Sequence, residues 1–236
     1  TIRTIGGDGG TGYVIEYAGE AIRNMSMEQR MTLCNMSIEA GARAGMVAVD
    51  QTTLDYLQDR LAKEFFDIQS QQWLQWQSDE GACFDKEVFI DVSQLTPMVT
   101  YGTDPGMAAG VDESIPAEAT QNALEYMNLK PHQAINEISV DTVFIGSCTN
   151  SRLSDLRSAA NILRGHKIKP GIRMLVVPGS VAIKQAAEAE GLDQVFTHSG
   201  AEWRSPGCSM CIAMNGDQAA SGKTVVSTSN RNFAGR

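Results

Sequence analysis

The chain has no surplus of positive charge, no long apolar run and no paired cysteine framework. Nineteen Lys and Arg stand against 28 Asp and Glu, a formal net charge of −9 over 236 residues. Without a basic run, the clustered cations that phosphate binding needs are missing, which argues against nucleic acid as a partner. No apolar stretch approaches the roughly 18 residues of a membrane helix, and no signal-peptide pattern opens the sequence. Five cysteines, odd in number and uneven in spacing, do not read as a disulfide framework, so a reducing, cytoplasmic setting is expected. Internal repeats and low-complexity segments are absent. A hydrophobic content of 42% with 20% charged residues is that of a globular protein with a sizeable core. Thr1 is not an initiator methionine, and the last residues follow a polar loop directly. A piece of a longer protein is therefore expected.

Glycines crowd the start, at Gly6, Gly7, Gly9, Gly10 and Gly12. The spacing lacks the Lys-Ser/Thr of a nucleotide loop, so tight turns and close backbone approach are the better reading. Apolar Met31, Cys34, Ile38 and Ala42 recur at helical spacing and predict a helix over 27–44, with Ser26 and Gln29 as a capping box. A second helix is expected over 54–66, a strand over 87–92 and partial helix over 116–129. A boundary is placed at 136/137. Beyond it the pattern becomes strand 139–146, helix 153–163, strand 173–177, helix 181–190, strand 194–197 and strand 224–228. Strands alternating with helices of this length predict a parallel α/β sheet, whose ligands bind beyond the carboxyl ends of the strands. Four polar loops are expected at that edge: those at Cys148, at 178–180, at 198–200 and at 229–231.

Three cysteines lie in Gly/Ser-rich loops: Cys148 in GSCTNSR, and Cys208 and Cys211 in PGCSMC. Three thiolates can hold three corners of an iron–sulfur cube and leave the fourth iron open as a Lewis acid. Two other readings stay open. His198 could complete a Cys3His zinc site, and the CxxC pair could be a redox dithiol, although Pro206 and Gly207 precede it where a helix start would be expected. Cys34 and Cys83 read as buried apolar thiols. Asn150 and Ser151 could donate hydrogen bonds to cluster sulfides, although Ser151 or Ser154 also suits a helix cap. Arg231 and Arg236, flanked by Asn230, Asn232 and Phe233, follow a strand at the ligand edge and suit a dicarboxylic acid. Asn35 and Glu39, four apart on the expected first helix, could present an amide and a carboxylate together; a solvated helix face is the plainer reading.

VFIGSCTNSR (143–152), SPGCSMCIAMN (205–215) and STSNRNFAGR (227–236) closely resemble motifs of the aconitase superfamily, and CNMSIEAGA (34–42) fits the same family. Within it, the wording is most similar to the branch of isopropylmalate dehydratase large subunits. The resemblance implies an α/β/α three-layer fold with mostly parallel sheets. In it, 1–136 is an inserted second domain and 137–236 much of a third. It implies a [4Fe–4S] cluster on Cys148, Cys208 and Cys211. Asn230 and Asn35 match asparagines beside the cluster or substrate, Glu39 a glutamate near the reacting water, and Arg231 and Arg236 substrate-carboxylate arginines. The activity implied is a hydro-lyase isomerisation of 2-isopropylmalate to 3-isopropylmalate in leucine biosynthesis. Homoaconitate, citrate-like or methylmalate hydratases are the near alternatives. A first domain with proton-transfer Asp and His residues, and the end of the third domain, have no counterpart here. Nor does the mobile domain with its serine base, which points to a separate small subunit as partner. Tyr101 stands where relatives tend to have Trp. The piece alone is expected to be inactive and open to cluster loss in air.

Overall fold

The computed structural model describes residues 1–214, 216–230 and 232–234. Contacts divide the chain into two compact units, Thr1–Leu95 and Thr96–Arg236. The boundary was expected at 136/137, whereas by contacts 96–136 goes with the second unit.

In the first unit, helix α1 (Ile2–Ile5) leads through the glycine cluster to strand β1 (Val14–Tyr17), short helix α2 (Glu20–Arg23) and helix α3 (Met27–Met36). A Cβ on Gly9 would stand 2.1 Å from the Ile5 carbonyl oxygen and one on Gly10 2.9 Å from Ala42 Cβ, so these glycines serve close backbone approach. The capping box forms as expected: Ser26 Oγ accepts from Gln29 N, and Gln29 Oε1 accepts from Ser26 N. The helix expected to reach residue 44 stops at Met36, and a 3-10 turn at Ile38–Ala40 ends at Gly41 in the left-handed region (φ 78°). Strand β2 (Ala44–Val47) then pairs parallel with β1. α3 crosses β2 at Gly45, where an added Cβ would lie 2.1 Å from Ser37 Oγ and 2.9 Å from Cys34 Cα.

The single helix expected over 54–66 is two helices, α4 (Gln51–Gln58) and α5 (Lys63–Trp73). Between them Arg60 folds back, its guanidinium 3.7 Å above the Tyr56 ring and bonded to the Tyr56 carbonyl. Residues 87–92 form no strand: among the described residues no strand pairs with them, and Phe89 is 94% exposed.

The second unit opens with antiparallel strands β3 (Met98–Thr100) and β4 (Ala108–Gly110) and helix α6 (Gln121–Met127). Its centre is a parallel sheet. Strand β5 (Thr142–Ile145), helix α7 (Leu153–Leu163), strand β6 (Arg173–Val176), helix α8 (Val181–Ala189), helix α9 (Leu192–Ser199), strand β7 (Glu202–Trp203) and strand β8 (Val225–Ser227) follow in order. The strands lie β7-β6-β5-β8, all parallel. The α/β class and mostly parallel sheets are as expected. Side chains alternate across the sheet. Val143, Ile145, Met174 and Val176 join Leu156, Ala160, Ala187 and Phe196 of α7–α9 on one face. Phe144, Leu175 and Val177 pack with Met210, from between the paired cysteines, on the other.

One expected strand is a helix. Residues 194–197 lie in α9, bounded by Gly191 and Gly200 in the left-handed region and burying Leu192, Phe196 and Ser199 at helical spacing. The third strand is instead β7, which follows α9, so residues 198–200 lie ahead of that strand and not at the ligand edge where a loop was expected; the chain leaving β7, residues 204–207, runs directly into Cys208.

Candidate functional site

The chain lays down β5, β6 and β7 outward in one direction and returns on the far side of β5 to add β8. The order therefore reverses between β5 and β8, and the crevice beyond the carboxyl ends at such a switch point is where open α/β sheets bind ligands. The Cys148 loop leaves β5 there, and the 228–230 tail leaves β8.

Hydrogen bonds join these two segments. Thr228 Oγ1 accepts from Gly146 N and donates to the Gly146 carbonyl, both at 3.0 Å. Asn150 Nδ2 donates to the Thr228 carbonyl and to Asn230 Oδ1, while Asn230 Nδ2 donates to Thr149 Oγ1 at 2.8 Å. Within the loop, Asn150 N donates to Ser147 Oγ at 3.2 Å. The loop after β6 joins in, Gly179 N donating to the Ser151 carbonyl at 3.0 Å. Ser180 caps α8 by accepting from Ile183 N. Neither Ser151 nor Ser154 caps α7; Asp155 does, its Oδ2 accepting from Arg152 N at 2.9 Å.

The cysteine pair reaches the same tail. Ser229 Oγ donates to Cys211 Sγ at 2.9 Å. Cys208 and Cys211 bracket a 3-10 turn, with Cys211 N donating to the Cys208 carbonyl at 2.8 Å. Met210 between them is 5% exposed and anchored on Phe144, Leu175 and Val177. Five described residues other than glycine have positive φ, and three of them sit in the cysteine loops: Ser147 (90°), Ser209 (46°) and Ala213 (56°). Such conformations are unfavourable for L-residues and concentrate where function fixes the backbone.

Of the expected site residues, Asn230 lies on this short tail, Cys211 bonds to its Ser229, and the loop carrying Cys148 bonds to it through Gly146, Thr149 and Asn150. Cys148 and Cys208 are exposed and Cys211 half-buried, all three as free thiols. Among the described residues, no group of three or more His, Cys, Asp or Glu is gathered closely enough to hold a metal ion. The donor set nonetheless fits an iron–sulfur cluster in its chemistry: free, accessible thiols at loops converging on one sheet edge. Asn35, exposed near the end of α3, and Glu39, half-buried in the 3-10 turn, belong to the first unit and do not share a continuous helix face. Arg231 and Arg236 lie outside the described residues.

The zinc alternative fails on position. His198 ends α9, where its carbonyl accepts from Lys167 and Ser199's from Ile168, both in the segment entering β6. That is the amino edge of the sheet, opposite the cysteines. Cys83 is exposed rather than buried. Cys34 is half-buried, and burial pushes its thiol pKa up, which opposes thiolate formation. A cavity of about 360 Å³ adjoins the cysteine-pair loop and the tail, lined by Met210, Ala213, Ser227, Asn232 and Phe233 among others. The larger one, about 630 Å³, lies in the first unit between β1 and residues 83–90 and is lined by none of the candidate residues.

Sequence reasoning missed Asp217. It is 4% exposed, accepting from Ser209 Oγ at 2.7 Å and from Arg204 Nη2 at 2.6 Å. Burial alone would raise its carboxyl pKa, but the hydrogen bonds from Ser209 and Arg204 and the charges of Arg204 and Arg173 hold it below the ordinary range. Its position six residues after Cys211 carries no motif that would have marked it.

With the geometry in place, comparison with known proteins decides the family. The aconitase (aconitate hydratase) family model matches residues 1–236. The chain belongs to the aconitase family. It is 55% identical over 248 aligned residues to the 3-isopropylmalate dehydratase large subunit of Corynebacterium glutamicum (strain R), covering all of this chain and 52% of that protein. It thus spans about half the length of this curated relative. No helix among the described residues is long and apolar enough to cross a membrane.

Proposed function

We propose that this chain supplies the cluster cage and part of the carboxylate pocket of a hydro-lyase that interconverts 2-isopropylmalate and 3-isopropylmalate in leucine biosynthesis, in the cytoplasm. The observation that carries the reading is the hydrogen-bonded tail after β8, which meets both the Cys148 loop and Cys211 at the switch point of the sheet. Residues 1–136 and 137–236 are taken as the second and third domains of that enzyme, and a small subunit as its partner.

Cys148, Cys208 and Cys211 would hold a [4Fe–4S] cluster. When bound, such a group supplies Lewis acidity that makes hydroxide a better leaving group. The remaining tasks belong to side chains. Arg231 and Arg236 grip the two substrate carboxylates through bidentate hydrogen bonds, fixing the reacting carbons. Asn230, locked by Thr149 and Asn150, presents its amide at the cage rim without freedom to turn away. Glu39 takes and returns a proton on water, with Asn35 orienting it. A base on the partner subunit removes the proton from the neighbouring carbon.

The test is turnover of 2-isopropylmalate by the complete enzyme assembled with its small subunit. Cys148→Ser, Cys208→Ser and Cys211→Ser should each abolish it; normal turnover in any of the three would sink the proposal. A panel of hydroxy-diacids including homoaconitate, citrate and methylmalate separates the near alternatives, and preference for one of these would move the substrate assignment.

A further inference from the structure

Asp217 is the only buried carboxylate among the described residues, and nothing in the reaction proposed above needs its charge. Its two oxygens face different structures. Oδ1 accepts from Arg204, just past β7, with Arg173 of β6 also 3.8 Å away; Oδ2 accepts from Ser209, inside the cysteine pair. Arg173 and Arg204 are themselves fixed to the sheet edge through Glu202 of β7. Asp217 therefore ties the middle of the Cys208–Cys211 turn to the framework of the sheet.

The turn has reason to need tying. Ser209 holds a left-handed backbone, φ 46°, which costs any residue but glycine. Released from Asp217, its easiest relaxation is back to negative φ. That would rotate Cys208 relative to Cys211 and break the bond from Met214 N to the Ser209 carbonyl, 2.9 Å in the native turn. Met210 pins the turn to the apolar face of the sheet but does not set the backbone on either side of it.

We propose that Asp217 is a positioning residue for the cysteine pair: its bond to Ser209 holds the left-handed turn that presents Cys208 and Cys211 as a ligand pair. As a statement about ligands, this rests on the cluster reading above; as a statement about the turn, it does not.

The experiment uses the intact protein, anaerobic and reduced. Rates of iodoacetamide alkylation at each cysteine are read by mass spectrometry in the metal-free state, with Cys148 and Cys83 as internal references. In Asp217→Ala, Cys208 and Cys211 should react about tenfold faster, equivalent to about 1.4 kcal/mol in the turn equilibrium, while Cys148 is unchanged. Adding Ser209→Gly should return those rates towards wild type, because glycine holds the left-handed turn unaided. Asp217→Asn, which keeps the shape and one hydrogen bond, should fall between and serves if the alanine variant does not fold. After reconstitution with ferrous iron and sulfide, iron loss to a chelator should follow the same order. Unchanged rates in Asp217→Ala, or an increase shared by Cys148 and indifferent to Ser209→Gly, overturn the proposal. If wild type takes up no iron while the alkylation order holds, the turn proposal stands and the cluster reading fails.

Discussion

Asp50→Ala should destabilise the first unit by about 3–4 kcal/mol. Arg30 on α3 is 2% exposed, and its guanidinium meets both Asp50 oxygens at 2.6 and 2.7 Å. Its remaining bond, at 2.9 Å, goes to the Arg23 carbonyl, and its Nε is buried without an acceptor among the described residues. Removing one member of such a pair strands the other charge, at about 3–5 kcal/mol in a buried setting. Asp50 is 34% exposed in its side chain, which lets water in and places the loss at the lower end. The same carboxylate caps α4, accepting from Thr53 N, and that loss adds about 1 kcal/mol.

The effect depends on pH in a defined direction. Hydrogen bonds from Arg30 hold the Asp50 carboxyl below its ordinary range; partial burial opposes them, and Thr53 and the Arg30 charge reinforce them. A depressed native pKa gives stability that is complete above the unfolded value of about 4 and is lost as pH falls through the lower native one. Urea unfolding followed by the fluorescence of Trp73 and Trp76, both in the first unit, measures this. The gap between wild type and variant should be full at pH 7 and close progressively below about pH 4. A gap under about 0.5 kcal/mol at pH 7, or one that does not change on acidification, would refute the reasoning. Because α3 also carries Asn35, loosening this pair should disturb that candidate residue.

Two further variants probe the packing of each unit. Gly45→Ala drives a methyl into Ser37 Oγ and Cys34 Cα, where α3 meets β2; calorimetry should show the first unit destabilised by at least about 1–3 kcal/mol. Phe196→Ala removes a fully buried ring stacked on Trp203 at 5.6 Å between centroids; denaturant unfolding should show a loss of about 3–5 kcal/mol in the second unit.

The second unit was largely legible because its signals are local. A short apolar run before a Gly/Ser loop gives β5, and the amphipathic span 153–163 gives α7, whose bounds coincide with those expected. Residues 194–197 misled because QVFT is as apolar and β-branched as a strand; the deciding signals were the two flanking glycines and the burial of Leu192, Phe196 and Ser199. The same error hid β7, two residues whose strand character comes from pairing with β6 and not from their composition. In the first unit, the pattern that carried α3 past residue 36 overlooked Gly41, and that over-extension put Asn35 and Glu39 on one helix. The cysteine loops were legible as motifs. Their means of support were not: the Thr228, Ser229 and Asp217 contacts join residues brought together by chain folding, and no local spacing encodes them.

The most direct test of the central claim is anaerobic reconstitution of the intact protein with iron and sulfide, with both counted per chain alongside a visible spectrum. The account predicts about four irons per chain with broad absorbance on the order of 400 nm, lost in Cys148→Ser. One tightly held zinc instead, or a cluster that survives Cys148→Ser, would contradict it.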